Sequence, residues 1–107
     1  MKTLKFKEKL SKLILSGEKT STWRLFDDKD LQVGDEVSFL VKETLEEFAK
    51  ARLLEVTETK FGNLTTDDLD GHEKYSSPEE MYRTFSEFYQ RKVDENSPVK
   101  IIKFELL

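Results

Sequence analysis

The sequence predicts a small α+β protein: a mostly antiparallel barrel of five or six short strands with two main helices, in the order β-α-β-β-β-α-β. Three observations predict it. The chain has 107 residues, enough for one sizeable core and one domain over 1–107. Most of its apolar segments alternate with period two and are separated by turn signals, which disfavours a doubly wound parallel sheet and suits a barrel with helices at its side or mouth. Two further segments carry apolar residues three and four apart, the spacing of a helix face.

Leu4 and Phe6 alternate with Lys5 and Lys7, a short first strand. Phe6, Leu10, Leu13 and Ile14 then follow helical spacing, giving a helix over 8–16 with Gly17 as its C-cap. Residues 20–26 are rich in β-branched and aromatic types and read as a strand. Asp27, Asp28, Lys29 and Asp30 make a polar loop. The Gly34-Asp35 turn leads into a strand over 36–41, and a long strand occupies 48–61 until Gly62-Asn63 breaks it. A short helical turn fits 64–69, and 70–75 reads as loop. Ser77 as N-cap, Pro78 at the first helical position and Glu79 and Glu80 in the first turn start a helix that runs to Arg91. Its apolar side is Met81, Phe85, Phe88 and Tyr89, with Tyr82. Alternation through Ile102, Phe104 and Leu106 marks a closing strand over 99–107.

Composition removes several chemistries. Without cysteine there is no disulfide, thiolate metal site or thiol nucleophile. His72, the single histidine, cannot build a multi-histidine metal centre. No metal or cofactor is expected. No apolar run approaches the roughly 20 residues of a membrane span, and the N-terminus has no apolar secretion segment; a cytoplasmic protein without membrane contact is the expectation, with a monomer assumed. The net charge is −4, yet residues 1–24 carry seven basic and two acidic side chains, a local +5 that leaves −9 on the rest. This opposes broad coating of nucleic acid and suits one local anion-facing surface.

Chemistry concentrates in Gly17-Glu18-Lys19-Thr20-Ser21-Thr22-Trp23-Arg24. Thr22 and Arg24 are two apart in a predicted strand and share a face, with Trp23 on the other and Lys19 in the turn before them. The arginine is a planar donor fork for phosphate, carboxylate or a base edge. The lysine is a point charge. The threonine can donate a hydrogen bond or, next to a base, act as a nucleophile. The spacing does not fit a phosphate loop. Read from spacing alone, the stretch is equally a polar strand with solvated cations.

The segment from Ile14 to Arg24 resembles the signature of the ASCH domain, a branch of the PUA-like β-barrel superfamily. The stretch Leu31-Gln32-Val33-Gly34-Asp35-Glu36-Val37 is similar to the turn and strand that follow that signature. The loop from Gly71 to Met81 and the closing strand complete the resemblance over nearly the whole chain. It implies a PUA-like barrel that binds RNA, or a modified nucleotide or nucleoside, in a cleft whose ligand-binding residues would be Gly17, Lys19, Thr22, Arg24 and His72. One branch of small stand-alone ASCH proteins hydrolyses the acetyl amide of N4-acetylcytidine with a lysine, a threonine and a downstream glutamate. Those positions fall here on Lys19, Thr22 and Glu73. A gapped alignment gives Glu73; an ungapped one gives Lys74 and removes the acid. Arg24 would support the oxyanion or hold the base.

Four functions therefore stand side by side: a binding module without chemistry, an amidohydrolase, a ribonuclease in which Lys19 and Arg24 stabilise phosphate charge and Glu73 acts as base, and a protein-interaction domain that keeps only the fold. The remaining features carry ordinary expectations. His72, alone in a loop, is expected to be solvent-exposed, and otherwise a polar contact in the cleft. Trp23 is expected in the core rather than under a base. Phe85, Phe88 and Tyr89 are expected to be core, and Asp67, Asp68 and Asp70 a solvated helix start.

Overall fold

The structure, a computed structural model, describes residues 2–27 and 29–107; Asp28 of the predicted polar loop lies outside them. Five strands form one curled half-barrel sheet: β1 (Lys2–Phe6), β2 (Ser21–Arg24), β3 (Glu36–Val41), β4 (Glu47–Lys60) and β5 (Pro98–Leu106). Three helices accompany them: α1 (Glu8–Leu15), the four-residue α2 (Thr66–Leu69) and α3 (Pro78–Tyr89). The sheet order is β1-β3-β4-β5-β2, parallel only between β1 and β3.

The predicted order holds, and the differences at element ends have local causes. Helix α1 stops at Leu15 because Gly17 takes φ +85°, a left-handed backbone that glycine accepts without a Cβ clash. The N–H of Glu18 then donates to Leu13 O at 3.0 Å and that of Gly17 to Ile14 O at 3.1 Å, the paired bonds of a Schellman ending. Helix α3 stops at Tyr89, two residues short of expectation, because Gln90 turns left-handed at φ 54°. Its start is as read: Ser77 Oγ accepts the Glu80 N–H at 3.1 Å and Pro78 sits at the first position.

Strand β4 serves two partners, pairing β3 along its first part and β5 along most of its length. It bends at two register shifts. Phe39 faces Ala49 while Leu40 faces Glu47, leaving Phe48 extra; Leu53 faces Phe104 while Glu55 faces Lys103, leaving Leu54 extra. An extra residue coils a strand and increases its twist, which curls the sheet.

Apolar side chains pack on both faces. Leu4, Phe6, Ile14, Val37, Phe39, Leu53, Ile102 and Phe104 form one cluster beneath α1. Trp23, Phe61, Met81, Phe85, Val99 and Ile101 form the second, against α3. The alternation Val99, Ile101 against Ile102, Phe104 shows β5 feeding both. Phe88 departs from expectation: it stays 42% exposed, because Met81 and Phe85 already occupy the sheet-facing side of α3. No helix of the described residues is long and apolar enough to cross a membrane.

Candidate functional site

The two edge strands of the half-barrel, β1 and β2, face each other without pairing. The seam between them is joined by side chains. Arg24 Nη2 of β2 donates to Lys5 O of β1 at 2.8 Å, and its guanidinium lies 4.8 Å from the centre of the Phe6 ring. Lys29, in the loop after β2, donates to Thr3 O. At one end of this seam opens a cleft of about 350 Å³. One wall is the end of β1 and the first turn of α1, with Phe6 and Leu10. The other is β2 with Thr22, Trp23 and Arg24, and α3 with Phe85 and Phe88. The floor is the 70–75 loop with His72, Glu73 and Tyr75.

The loop reaches the seam through backbone bonds. Gly71 O accepts the N–H groups of both Thr20 (2.9 Å) and Ser21 (3.1 Å), and Ser21 Oγ donates to Asp70 O at 3.3 Å. Gly71 has φ +79°, and a Cβ there would lie 2.0 Å from Thr20 Oγ1, so glycine is required twice over. The N–H of Lys19 is held by Leu13 O at 3.1 Å in the Schellman turn. These anchors bring Lys19 and Glu73 together across 54 positions of sequence: Lys19 Nζ donates to Glu73 Oε2 at 2.6 Å.

Lys19 is only 3% exposed. Burial pulls its pKa below the ordinary 10.5; Glu73 opposes the shift and Arg24 adds slightly to it. Burial pushes the Glu73 carboxyl up, but the charges of His72 and Lys19 and the hydrogen bond from Lys19 outweigh it and hold the pKa below its ordinary value. Glu73 thus lines the cleft, while Lys74 is exposed and takes no part in its wall. Thr22, 5% exposed, lines the same cleft, and its hydroxyl has no hydrogen-bond partner among the described residues. Tyr75, pushed up by burial and by Glu73, stays a neutral phenol.

One expectation needs correction. His72 is buried, not solvent-exposed. Its ring stacks on Trp23 with centroids 3.7 Å apart and planes 11° apart, and Nδ1 lies 3.0 Å from Glu73 O and 3.2 Å from Glu73 Oε2. Burial and the Lys19 charge lower its pKa to about 4, so the imidazole is neutral at pH 7. The loop composition gave no sign of this; the apolar environment comes from Trp23 and Phe85, distant in sequence. Gly17, expected among the ligand-binding residues, is outside the cleft wall and acts through the turn that aims Lys19.

The strand reading is sound: Thr22 faces Ile102 of one cluster and Trp23 faces Ile101 of the other. Trp23 is core as expected, 3% exposed, though it also borders the cleft because β2 is an edge strand. Sequence reasoning did not find Phe6 and Tyr75 as parts of the site. Asp67 and Asp68 start α2 beneath a Thr65 capping box, and among the described residues no group of acids or histidine is placed to hold a metal.

A curled half-barrel with these elements in this order is a fold of the PUA-like type, and its open seam presents a buried lysine, a carboxylate and a hydroxyl that is unpaired among the described residues. The chain belongs to the ASCH domain family, whose model matches residues 2–107. Among solved structures it is similar to a protein from Enterococcus faecalis (TM-score 0.75, 21% identity, covering 92% of this chain and 70% of that one). It is similar also to an ASCH domain from Lactobacillus crispatus (TM-score 0.73, 13% identity, 98% and 79% covered). A protein from Pyrococcus furiosus solved by NMR aligns along nearly its full length (TM-score 0.67, 23% identity, 99% and 96% covered). At these identities the likeness is one of fold. No curated protein matches the chain.

Proposed function

We propose that the seam cleft binds RNA or a modified nucleotide or nucleoside. The observation that carries this reading is the cleft's composition: about 350 Å³ bounded by aromatic rings, a buried cation–carboxylate pair and a free hydroxyl. Apolar and aromatic walls with a few convergent polar groups suit a planar, polar-edged ligand such as a base.

A second, narrower reading is hydrolysis of the acetyl amide of N4-acetylcytidine. It is favoured by the 2.6 Å contact between Lys19 and Glu73 in the cleft that Thr22 also lines, its hydroxyl unpaired among the described residues. In this reading Thr22 Oγ1 attacks the acetyl carbonyl carbon while its proton passes to the Lys19 amine, which burial makes easier to deprotonate. Glu73 orients that amine. The tetrahedral intermediate collapses, the bond from carbonyl carbon to N4 breaks, and N4 takes the proton from Lys19. Water, giving a proton to Lys19, then attacks the acetyl-threonine ester; the ester bond to Oγ1 breaks, Lys19 returns the proton to Thr22 Oγ1, and acetate leaves. Arg24 donates from Nη2 to Lys5 O and so holds the seam wall, and its remaining donors support the oxyanion or hold the base.

Deacetylation of N4-acetylcytidine and binding of a short oligoribonucleotide, measured side by side, test both readings. Turnover by the wild type that Lys19→Ala, Glu73→Gln and Thr22→Val each abolish supports hydrolysis. Thr22→Val is the sharpest probe. It keeps the side-chain shape and removes a hydroxyl with no bond to lose, so the melting temperature is expected to hold or rise. Loss of turnover with retained stability then belongs to the chemistry. Oligoribonucleotide binding without turnover leaves the binding reading alone. Absence of both overturns the cleft as the functional site.

A further inference from the structure

Four exposed lysines stand at the mouth of the cleft. Lys5, Lys7 and Lys9 line it from β1 and α1. Lys42 joins them because its N–H donates to Phe6 O at 2.7 Å, which seats it beside the end of β1. Among the described residues, none of the four is within ion-pair distance of a carboxylate. The acids on the same stretch are Glu8 and Glu43, and the Glu43 carboxylate accepts the backbone N–H of Glu8.

Phe88 explains what gathers two of these cations. Its half-exposed ring has Lys42 Nζ 4.5 Å and Lys7 Nζ 5.5 Å from its centre. A ring face attracts an ammonium group through its quadrupole and leaves the net charge intact, which a carboxylate would cancel. The arrangement keeps unneutralised positive charge at one place on a chain of net charge −4.

We propose that this rim is a phosphate subsite, and that the ligand is a nucleotide whose phosphate adjoins the unit seated in the cleft, not an uncharged nucleoside. The proposal rests on the cleft reading above and adds the charge class of its ligand. On binding, Lys7 and Lys42 exchange the Phe88 ring for phosphate oxygens, and Lys5 and Lys9, on the same wall, contribute field.

Isothermal titration with the four ribonucleosides, their 5′- and 3′-monophosphates and a short oligoribonucleotide, at low and high salt, tests it. For the best-bound base, a phosphate-bearing form is expected to bind roughly tenfold or more tightly than its nucleoside at low salt. That advantage shrinks with salt at a log–log slope of about −0.7 for each phosphate contacted. The Lys7→Ala/Lys42→Ala double variant should weaken the phosphate-bearing forms more than the nucleoside and so remove the advantage, and Phe88→Ala should reduce it in part. A gain already present in monophosphates assigns the subsite to a terminal phosphate. A gain only in the oligoribonucleotide assigns it to the phosphodiester of a strand. Equal affinity for nucleoside and phosphate forms, or an advantage that survives the double variant, overturns the proposal while the cleft reading stands. No binding by any of these ligands overturns the phosphate subsite, and if N4-acetylcytidine also fails to bind, the cleft reading falls with it.

Discussion

His72 carries its ionisation into the stability of the fold. Its pKa is near the ordinary 6.5 when the chain is unfolded and about 4 in the folded state, where burial and Lys19 disfavour the imidazolium. Between those values the unfolded chain binds a proton that the folded one refuses, so stability falls as pH drops from 6.5 toward 4, by up to about 3 kcal/mol. Comparing melting temperatures of wild type and His72→Gln across pH 7 to 4 reads this directly; the wild type should lose more on acidification, and parallel curves would remove His72 as the cause. Lys19 shifts in the same direction. If it serves as the base, turnover rises with pH toward a Lys19 pKa below 10.5. Two of the three left-handed glycines, Gly17 and Gly71, separate backbone strain from crowding. A Cβ on Gly17 meets open space, so Gly17→Ala should cost about 1 kcal/mol, the strain of the conformation alone. At Gly71 the same strain adds to a clash with Thr20, and Gly71→Ala should cost about 2–4 kcal/mol in a denaturant titration.

Elements whose signals are local were legible in the sequence. Strand β3 begins and ends where the Gly34-Asp35 turn and the alternation place it, and α3 starts at its Ser77 cap. Ser77→Ala should lower stability by about 1 kcal/mol, visible in thermal unfolding, and loosen the wall that Phe85 and Phe88 give to the cleft. Within the signature, the shared face of Thr22 and Arg24 followed from strand periodicity. Non-local features were not legible. The choice between Glu73 and Lys74 depends on how Gly71 O is clamped by the β2 amides, a contact between segments some 50 positions apart that no spacing encodes. The exposure of Phe88 likewise depends on which helix face meets the sheet, and helical spacing alone assigns Met81, Phe85 and Phe88 to one side.

At the scale of the molecule, the half-barrel divides stability unevenly. Strands β3, β4 and β5 are paired on both sides, whereas β1 and β2 each have one neighbour and are joined across the seam by side chains. Amide hydrogen exchange should be slowest in β4 and β5 and fastest at β1 and β2. Arg24→Lys removes the planar fork that reaches Lys5 O and lies over Phe6, and should speed exchange in β1 while leaving β4 unaffected. A ligand in the cleft spans both edges and should slow exchange there. The charge distribution acts at the same scale: the basic end of the chain lies at the seam, so long-range attraction of an anion would be directed to the cleft mouth.

Trp23 is the single tryptophan of the chain, and its indole lies flat against His72 of the loop that holds Glu73. The protein therefore contains its own optical probe, placed where β2, the loop and α3 meet. Its emission reports on one stacking contact instead of an average over several indoles. A ligand that shifts the loop changes that emission, a ligand held only at the rim leaves it unchanged, and the two modes of occupancy can be told apart in the unlabelled protein.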